Sequence, residues 1–319
     1  MISGANVWAL RLKIGAVVRL FVTMKMTSDT PNVEPHIFNR KSAIRPLVYR
    51  IKSVYMLIDS HCHFDFAPFI DAPEHYLTLA KNAGVKRIVI PSVGERNWHV
   101  VEQLSRQFDE LYYALGLHPF FSHEHSEHAL PLLKEQIQKV TQDSDTYRKK
   151  CVAIGECGLD FTIVNADKEQ QIELLSEQVA LANQFDLPVI LHCRKAFPEL
   201  MKVLRKNPPI AGGVYHAFSG SYQQAKQLID LGIKIGVGGT ITYSRASKTR
   251  HTIASLPLVE LILETDAPDM PISGFQGEPN RPDRICNILR TLASFRVESE
   301  QVIEEVTTLT TAELFRISL

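Results

Sequence analysis

Two histidines separated by one residue, His61 and His63, follow a short apolar run at 56–60. The run predicts a buried strand, and alternate side chains of a strand share a face, so we expect both imidazoles to point the same way. Two imidazoles that converge from one strand end supply half of a divalent-metal site. Packing or surface histidines would explain the pair equally well, because the chain has 12 histidines. The elements around the pair have to decide between these interpretations.

Short apolar runs alternate with amphipathic segments from Met56 to the end of the chain. The runs predict eight strands, at 56–60, 86–90, 111–116, 151–155, 188–192, 212–217, 233–238 and 259–264. The amphipathic segments predict helices at 73–83, 97–108, 126–141, 168–185, 221–231, 282–294 and 299–315, and a shorter turn near 247–255. This alternation within about 265 residues is typical of an α/β fold, a single (β/α)8 TIM barrel. The alternative, a doubly wound open sheet, usually has a glycine-rich turn after its first strand, and none follows Ile58.

In such a barrel the functional residues lie at the C-terminal ends of the strands. Six of the eight predicted strand ends carry a histidine or a carboxylate: His61 and His63, His118, Glu156, His192, His216, and Asp266. Histidines scattered through a core would not be expected to occupy these positions repeatedly. The sequence therefore predicts a metal site at the C-terminal face of the barrel.

The order of the motifs at these strand ends resembles the TatD family of metal-dependent deoxyribonucleases, within the wider group of amidohydrolase-like barrels. The resemblance spans roughly 56–319. Its motifs are Asp59-Ser60-His61-Cys62-His63, Gly116-Leu117-His118-Pro119, Gly155-Glu156-Cys157-Gly158-Leu159-Asp160, His192-Cys193-Arg194, His216-Ala217-Phe218-Ser219-Gly220 and Leu263-Glu264-Thr265-Asp266-Ala267-Pro268. Two positions depart from the commoner pattern, Cys157 and Ala267, and neither is a presumed ligand.

The resemblance implies a site for two divalent cations, Mg, Mn or Zn, whose ligands come from the strand ends. One cation would be held by His61, His63, Glu156 and Asp266, and the other by Glu156, His192 and His216. The residues themselves fit this scheme, since two cations about 3.5–4 Å apart need a carboxylate that spans them. Glu156 is the candidate bridge, because Gly155 and Gly158 on either side of it permit a close approach.

The expected activity is hydrolysis of DNA by a metal-activated water, as an exonuclease that acts on strand ends or single strands. Three residues are the candidate catalytic groups. Glu156 would hold both cations, Asp266 could ligate a metal and take a proton from the water, and His118 is implied to lie near the scissile phosphate.

Basic and aromatic residues after the strands are the candidates for substrate binding. We expect Arg194 and Arg245 to attract an anionic strand, together with Arg281 and Arg284 further along the chain. Phe218 is the candidate for stacking on a base. These residues could equally be solvated charges of ordinary loops and rings that pack the loops onto the barrel, and this alternative stays open.

Two other activities fit the same barrel and metals. One is an amidohydrolase or lactonase activity, and the other is hydrolysis of the ester in aminoacyl transfer RNA. Many amidohydrolases bridge their metals with a carbamylated lysine, whereas this sequence has Glu156 at the fourth strand end. A labelled oligonucleotide would separate these activities.

The bulk composition limits the remaining possibilities. The net charge is zero, but residues 1–55 carry nine Lys/Arg and two acids, which leaves 26 basic and 33 acidic residues in 56–319. An acidic body argues against coating of long duplexes. The basic extension is too charged for a membrane span, and we expect 1–55 to lie outside the fold, as a disordered segment or a mis-assigned start. Five cysteines without metal-type spacing suggest reduced thiols in a cytoplasmic protein, and nothing indicates an obligate protein partner.

Overall fold

Eight parallel strands pair in chain order in the computed structural model, which describes residues 56–142 and 150–319. Each predicted strand overlaps an observed one. The strands are β1 (Leu57–Asp59), β2 (Val85–Pro91), β3 (Leu111–Leu115), β4 (Cys151–Asp160), β5 (Val189–Arg194), β6 (Gly213–Tyr215), β7 (Ile233–Val237) and β8 (Leu261–Leu263). β4 extends five residues beyond its predicted end, because it continues to pair with β5 as far as Asp160 and Arg194.

The residues that follow β1 and β8 close the sheet into a barrel. The Ser60 amide donates to the Leu263 carbonyl at 3.0 Å, and the Asp266 amide donates to the His61 carbonyl at 2.8 Å. A parallel bridge between Cys62 and Ala267 continues this seam. The predicted (β/α)8 TIM barrel is confirmed, and the open doubly wound sheet is wrong.

Helices follow the strands on the outside of the barrel. In the described residues they are α1 (Pro73–Asn82), α2 (Glu95–Gln107), α3 (Ala129–Gln142), α4 (Lys168–Phe185), α5 (Phe197–Lys206), α6 (Tyr222–Ile229), α7 (Ser247–Ser255), α8 (Ile285–Ala293) and α9 (Glu300–Phe315). The sequence analysis did not predict α5. Its signal was present, because Pro198 lies in the first turn and Leu200, Met201 and Leu204 recur at helical spacing on its buried face.

The core has two parts. A small cluster takes buried residues from seven of the eight strands, so it fills the barrel interior, and Phe315 and Ile317 pack against it; its strand members are Ile58, Val89, Ala114, Val152, Ala153, Ile190, Val214 and Ile262. A larger cluster lies between the strands and the surrounding helices. Together they fix the strands, and with them the strand ends that carry the candidate site.

Three further observations bear on the expectations from sequence. All five cysteines are free, and four of them are buried. Among the described helices, none is both long and apolar enough to cross a lipid bilayer. The expectation that residues 1–55 lie outside the fold concerns residues outside those described, and it stays a prediction.

Candidate active site

Glu156 lies at the centre of the site, and an irregularity in β4 places it there. β4 has one extra residue between Ile154 and Cys157, which pair with Val189 and Leu191 of β5. Such a bulge bends the strand and redirects a side chain, and bulges are common beside active sites. The Glu156 amide donates to the Ser92 carbonyl at 2.9 Å, which fixes its backbone. The carboxylate is then almost completely buried, with 1% of the residue exposed.

The two carboxylate oxygens of Glu156 face different sets of imidazoles. Oε2 lies 3.2 Å from His61 Nε2 and 3.5 Å from His63 Nε2. Oε1 lies 2.7 Å from His216 Nε2 and 3.0 Å from His192 Nδ1. Each oxygen therefore faces two imidazoles of one ligand set that the resemblance implies, and the assignment of those ligands stays a prediction.

Asp266 completes the half of the site that contains His61 and His63. Its Oδ1 lies 3.4 Å from His61 Nε2 and 3.8 Å from His63 Nε2. Its position depends on Asp59, a buried acid that the sequence analysis did not assign to the site. The Asp59 carboxylate accepts from the amide of Thr265 at 2.9 Å and from the Thr265 hydroxyl, one residue before Asp266.

The imidazoles around Glu156 determine the charge of its buried carboxylate. Burial alone would raise the pKa of Glu156, but His216, His118 and His61 more than offset it and hold the pKa well below its usual range. Burial lowers the pKa of His216, yet the facing Glu156 carboxylate raises it to about 10. Burial lowers the pKa of His61 to about 3. His61 is therefore a neutral donor, beside an ionised carboxylate.

These donors fit a divalent cation on the evidence of an orphaned atom. His61 Nε2 is buried without a hydrogen-bond partner, although carboxylate oxygens of Glu156 and Asp266 lie within 3.4 Å of it. A buried polar atom without a partner is costly, and a cation between imidazole and carboxylate ligands would satisfy it. His61, His63 and Glu156 bring their ligand atoms close enough to hold one ion, and His118, Glu156 and His192 form a second such group.

His118 has the geometry of a hydrogen-bond donor. Its Nδ1 accepts from the Phe120 amide at 3.0 Å, so in the neutral ring the proton is on Nε2. Nε2 lies 3.1 Å from Glu156 Oε1. Burial lowers the pKa of His118 to about 4, which keeps the ring neutral. His118 therefore lies beside Glu156 as a neutral N–H donor, and its place near a scissile phosphate stays a prediction.

Asp160 and Glu264 are two buried acids whose contacts only the structure reveals. Asp160 Oδ2 lies 3.4 Å from Nε2 of His192, on the far side of the ring from Glu156. Glu264 accepts from the Ala217 amide with one oxygen, and its other oxygen has no partner. Burial raises the pKa of Glu264 to about 8. Asp160 therefore contacts His192 in β5, and Glu264 contacts the backbone next to His216, after β6.

The site opens into a cavity of about 640 Å³, here called the central cavity. Its walls include His118, Glu156, His192, His216 and Asp266. Phe66, whose ring stacks on His63, and the exposed Phe120 also line it. The volume lies within the range of small-molecule sites in proteins.

The candidate substrate-binding residues are only partly in place. Arg194 lines the central cavity, whereas Arg245 lines a smaller cavity next to it. The expectation for Phe218 is wrong, since the residue is only 3% exposed and its ring packs edge-on against Tyr215. The position of Phe218 after a strand end was therefore not enough to predict the direction in which its ring points.

Arg281 and Arg284 do not offer free guanidinium groups to an anion. Arg281 forms a two-point ion pair with Asp283 at 3.0 Å. Arg284 is 4% exposed, pairs with Glu278 at 2.6 Å and lies over the ring of Phe275. The expectation that Arg284 attracts substrate is wrong, because its side chain is buried and paired, whereas for the partly exposed Arg281 it stays a prediction.

Known proteins are similar to this chain in sequence and in fold. The family model described as TatD related DNase matches residues 58–316. An Escherichia coli K12 protein named uncharacterized metal-dependent hydrolase YjjV is 46% identical over 260 residues, which cover 82% of this chain and 98% of the relative. The crystal structure of a TatD homolog from Escherichia coli K12, YJJV, superimposes with a TM-score of 0.79 at 44% identity, and the match covers 83% of this chain and 100% of that chain.

A further relative has a more specific name. A Klebsiella pneumoniae protein named 3'-5' ssDNA/RNA exonuclease TatD is 30% identical over 252 residues, which cover 77% of this chain and 92% of the relative. The family match includes all eight strand ends and every residue of the site. The chain belongs to the TatD family, and it is a metal-dependent hydrolase of that family.

Proposed function

We propose that the chain hydrolyses phosphodiester bonds of DNA, as an exonuclease that acts on strand ends or single strands. The observation that carries this proposal is the arrangement of Glu156, whose two oxygens face two separate sets of imidazoles. A carboxylate between two ligand sets suits a pair of cations, and metal pairs are widespread in phosphatases and nucleases. The name of the Klebsiella pneumoniae relative supports the same substrate class.

Two divalent cations, Mg, Mn or Zn, would be held by His61, His63 and Asp266 on one side and His192 and His216 on the other, with Glu156 between them. When bound, such cations supply Lewis acidity that activates water near neutral pH and neutralises charge on phosphoryl oxygens.

Two residues of the cavity have roles in moving or holding protons. Asp266 is placed to accept a proton from the attacking water, because its side chain reaches the central cavity and burial raises its pKa. The water oxygen then bonds to phosphorus as the bond to the ester oxygen of the leaving nucleotide breaks, and that oxygen takes up a proton returned by Asp266 through solvent water. His118 carries its proton on Nε2, which faces Glu156 Oε1 in this structure, and in our proposal this donor turns to a phosphoryl oxygen of the bound strand.

The surroundings of the cavity favour a strand over a small neutral ester. Arg194 lines the cavity and forms no ion pair with any described carboxylate, so its guanidinium is available for a phosphate. Phe66 and Phe120 offer ring faces on which bases can stack without regard to sequence. Among the described residues no lysine lines the cavity, so a bridging carbamylated lysine has no counterpart here.

The test is nucleotide release from an end-labelled single-stranded oligodeoxynucleotide after chelation and reloading with Mg²⁺, Mn²⁺ or Zn²⁺. Wild-type protein should release nucleotides only when reloaded. Glu156→Gln should lower the rate at least about a hundredfold, because it removes the charge shared by both ligand sets. Glu173→Gln makes the same chemical change on the exposed face of α4 and should leave the rate unchanged.

A different result would replace the proposal. If no metal supported release of nucleotides, while lactones or aminoacyl esters were hydrolysed and Glu156→Gln abolished that hydrolysis, the alternative activities would take its place. Equal rates for wild type and Glu156→Gln on DNA would contradict the assignment of the site itself.

A further inference from the structure

A second cavity lies beside the central one and shares a wall with it. This side pocket, of about 250 Å³, is lined by Thr240, Tyr243, Arg245, Ala246, Met270 and Pro271. Met270 also lines the central cavity, so the two spaces meet at this side chain. The two cavities are therefore adjacent at the same end of the barrel.

The side pocket is held in shape by contacts between the segments after β7 and β8. The Tyr243 hydroxyl donates to the Pro271 carbonyl at 2.6 Å, and the Ser273 amide donates to the hydroxyl of Thr242 at 2.8 Å. Backbone approach is equally close, because a Cβ added to Gly239 would lie 2.7 Å from the Met270 carbonyl oxygen. The pocket is therefore preformed, which reduces the entropy lost when a ligand binds.

The chemistry of the side pocket combines apolar walls with one cation. Tyr243, Ala246, Met270 and Pro271 provide the aromatic and apolar surface. Arg245 is exposed, and its guanidinium lies over the Tyr243 ring, 4.6 Å from the ring centroid. A guanidinium on an aromatic ring keeps its N–H donors in the plane, where they can form paired hydrogen bonds with a phosphate.

Arg245 combines a position on a pocket wall with the absence of a carboxylate partner among the described residues, and three nearby arginines lack one or both of these features. Arg281 and Arg284 are paired with carboxylates, and Arg250 lies over the ring of Phe295. Arg245 has no ion pair with any carboxylate in the described part of the chain. Its position on a pocket wall, rather than charge density alone, therefore marks it as a ligand-binding residue.

We propose that the side pocket is a second nucleotide subsite, in which Arg245 binds a backbone phosphate and the apolar walls receive the adjoining sugar and base. This inference rests on the proposed function, since it concerns the nucleotide next to the one in the central cavity. The contacts are with the backbone and with ring faces, so the subsite selects for strand length and not for base identity.

Kinetics with short and long substrates test the subsite. Bis(p-nitrophenyl) phosphate has a single diester and no neighbouring nucleotide, so Arg245→Ala should change the KM for this substrate far less than the KM for an oligonucleotide. For a single-stranded oligodeoxynucleotide the same change should raise KM about tenfold, the loss of one charge-assisted contact, with little change in kcat. Arg245→Lys should recover part of the loss, because it keeps the charge without the planar pair of donors.

Lys248→Ala is the matched control. Lys248 is an exposed cation on α7, three residues from Arg245, and it lines neither cavity. Lys248→Ala should leave KM for both substrates unchanged. If positive charge attracted DNA only in a general way, Lys248→Ala and Arg245→Ala would raise KM for the oligonucleotide equally. Equal KM values for wild type and Arg245→Ala on the oligonucleotide would overturn the subsite.

A binding measurement tests the subsite independently of the reaction. Fluorescence anisotropy with a labelled phosphorothioate oligonucleotide should show about tenfold weaker binding for Arg245→Ala than for wild type and Lys248→Ala. Its log–log salt dependence should also become shallower by about 0.7, as expected for one lost phosphate contact on a single strand.

The kinetic and binding measurements together distinguish a failure of the subsite from a failure of the proposed reaction. If wild type binds the oligonucleotide through Arg245 but cleaves no phosphodiester, the subsite stands and the proposed reaction is wrong. If wild type cleaves the strand and neither its binding nor its KM depends on Arg245, the reaction stands and the subsite is wrong.

Discussion

The imidazole of His192 is held between two carboxylates. Nδ1 lies 3.0 Å from Glu156 and Nε2 lies 3.4 Å from Asp160. Asp160 is itself fixed, because its other oxygen accepts from the Thr162 amide at 2.8 Å. A carboxylate behind a ligating histidine sets its tautomer and orientation and raises its basicity. Asp160 is therefore a positioning residue for His192.

Removal of Asp160 should weaken the site without removing a ligand. We expect Asp160→Ala to lower metal affinity and activity by about 10- to 100-fold, and Asp160→Asn to recover part of the loss, since its amide oxygen still accepts a hydrogen bond. Competition with a chelator measures the affinity, and kcat at saturating metal measures what remains. A variant with wild-type affinity and kcat would show that Asp160 does not position His192.

At this scale the sequence predicted which residues meet but not what holds them. His61, His63, Glu156, His192, His216 and Asp266 could be found because each lies at or just beyond the C-terminal end of a predicted strand. Asp59 and Asp160 were not assigned, because their role depends on Thr265 and His192, which are distant in sequence. The prediction that Phe218 stacks on a base was wrong for a related reason, because the packing of its ring against Tyr215 is a tertiary contact.

The bulged strand β4 is the element on which the site depends. Its backbone runs so close to β5 that a Cβ added to Gly158 would lie 1.9 Å from the carbonyl oxygen of His192. On the other side, a Cβ added to Gly116 would lie 2.5 Å from the carbonyl carbon of Gly155. The glycines therefore bring three strands together where Glu156 and His192 must face each other.

A side chain at Gly158 should damage both the fold and the site. Gly158→Ala has no space for its Cβ, so we expect a loss of about 3 kcal/mol in the free energy of unfolding and weaker metal binding as His192 is displaced. Gly274→Ala is a control with a positive φ of 91° and nothing within 4 Å of the added Cβ, which should cost only about 1 kcal/mol. Denaturant unfolding measures both, and equal losses would contradict the role of the close approach.

Strand positions could be predicted more fully than their lengths and irregularities. Apolar β-branched runs identified all eight strands, because strands buried on both faces are continuously apolar. The bulge in β4 and its extension to Asp160 depend on pairing with β5, which no local pattern encodes. The missed helix α5 is the opposite case, since its amphipathic pattern was visible in the sequence.

Over the whole molecule, the candidate ligands come from parts of the chain that only the closed barrel brings together. They follow β1, β6 and β8, and Glu156 and His192 lie within β4 and β5. A cation bound at this face therefore has ligands only in the folded chain, and binding that favours the folded state raises its apparent stability. The stability of the barrel should then depend on metal.

Chelation should lower the melting temperature of the protein, and readdition of metal should restore it. A cation at about 100 times its dissociation constant contributes about 2.7 kcal/mol. For a domain of this size that corresponds to roughly 5–10 °C in Tm. Scanning calorimetry with and without a chelator measures the shift, and Glu156→Gln should show little or none because it weakens both ligand sets. A wild-type Tm that is unaffected by chelator would contradict the coupling of metal to the fold, whereas an equal shift in Glu156→Gln would place the stabilising cation elsewhere in the molecule.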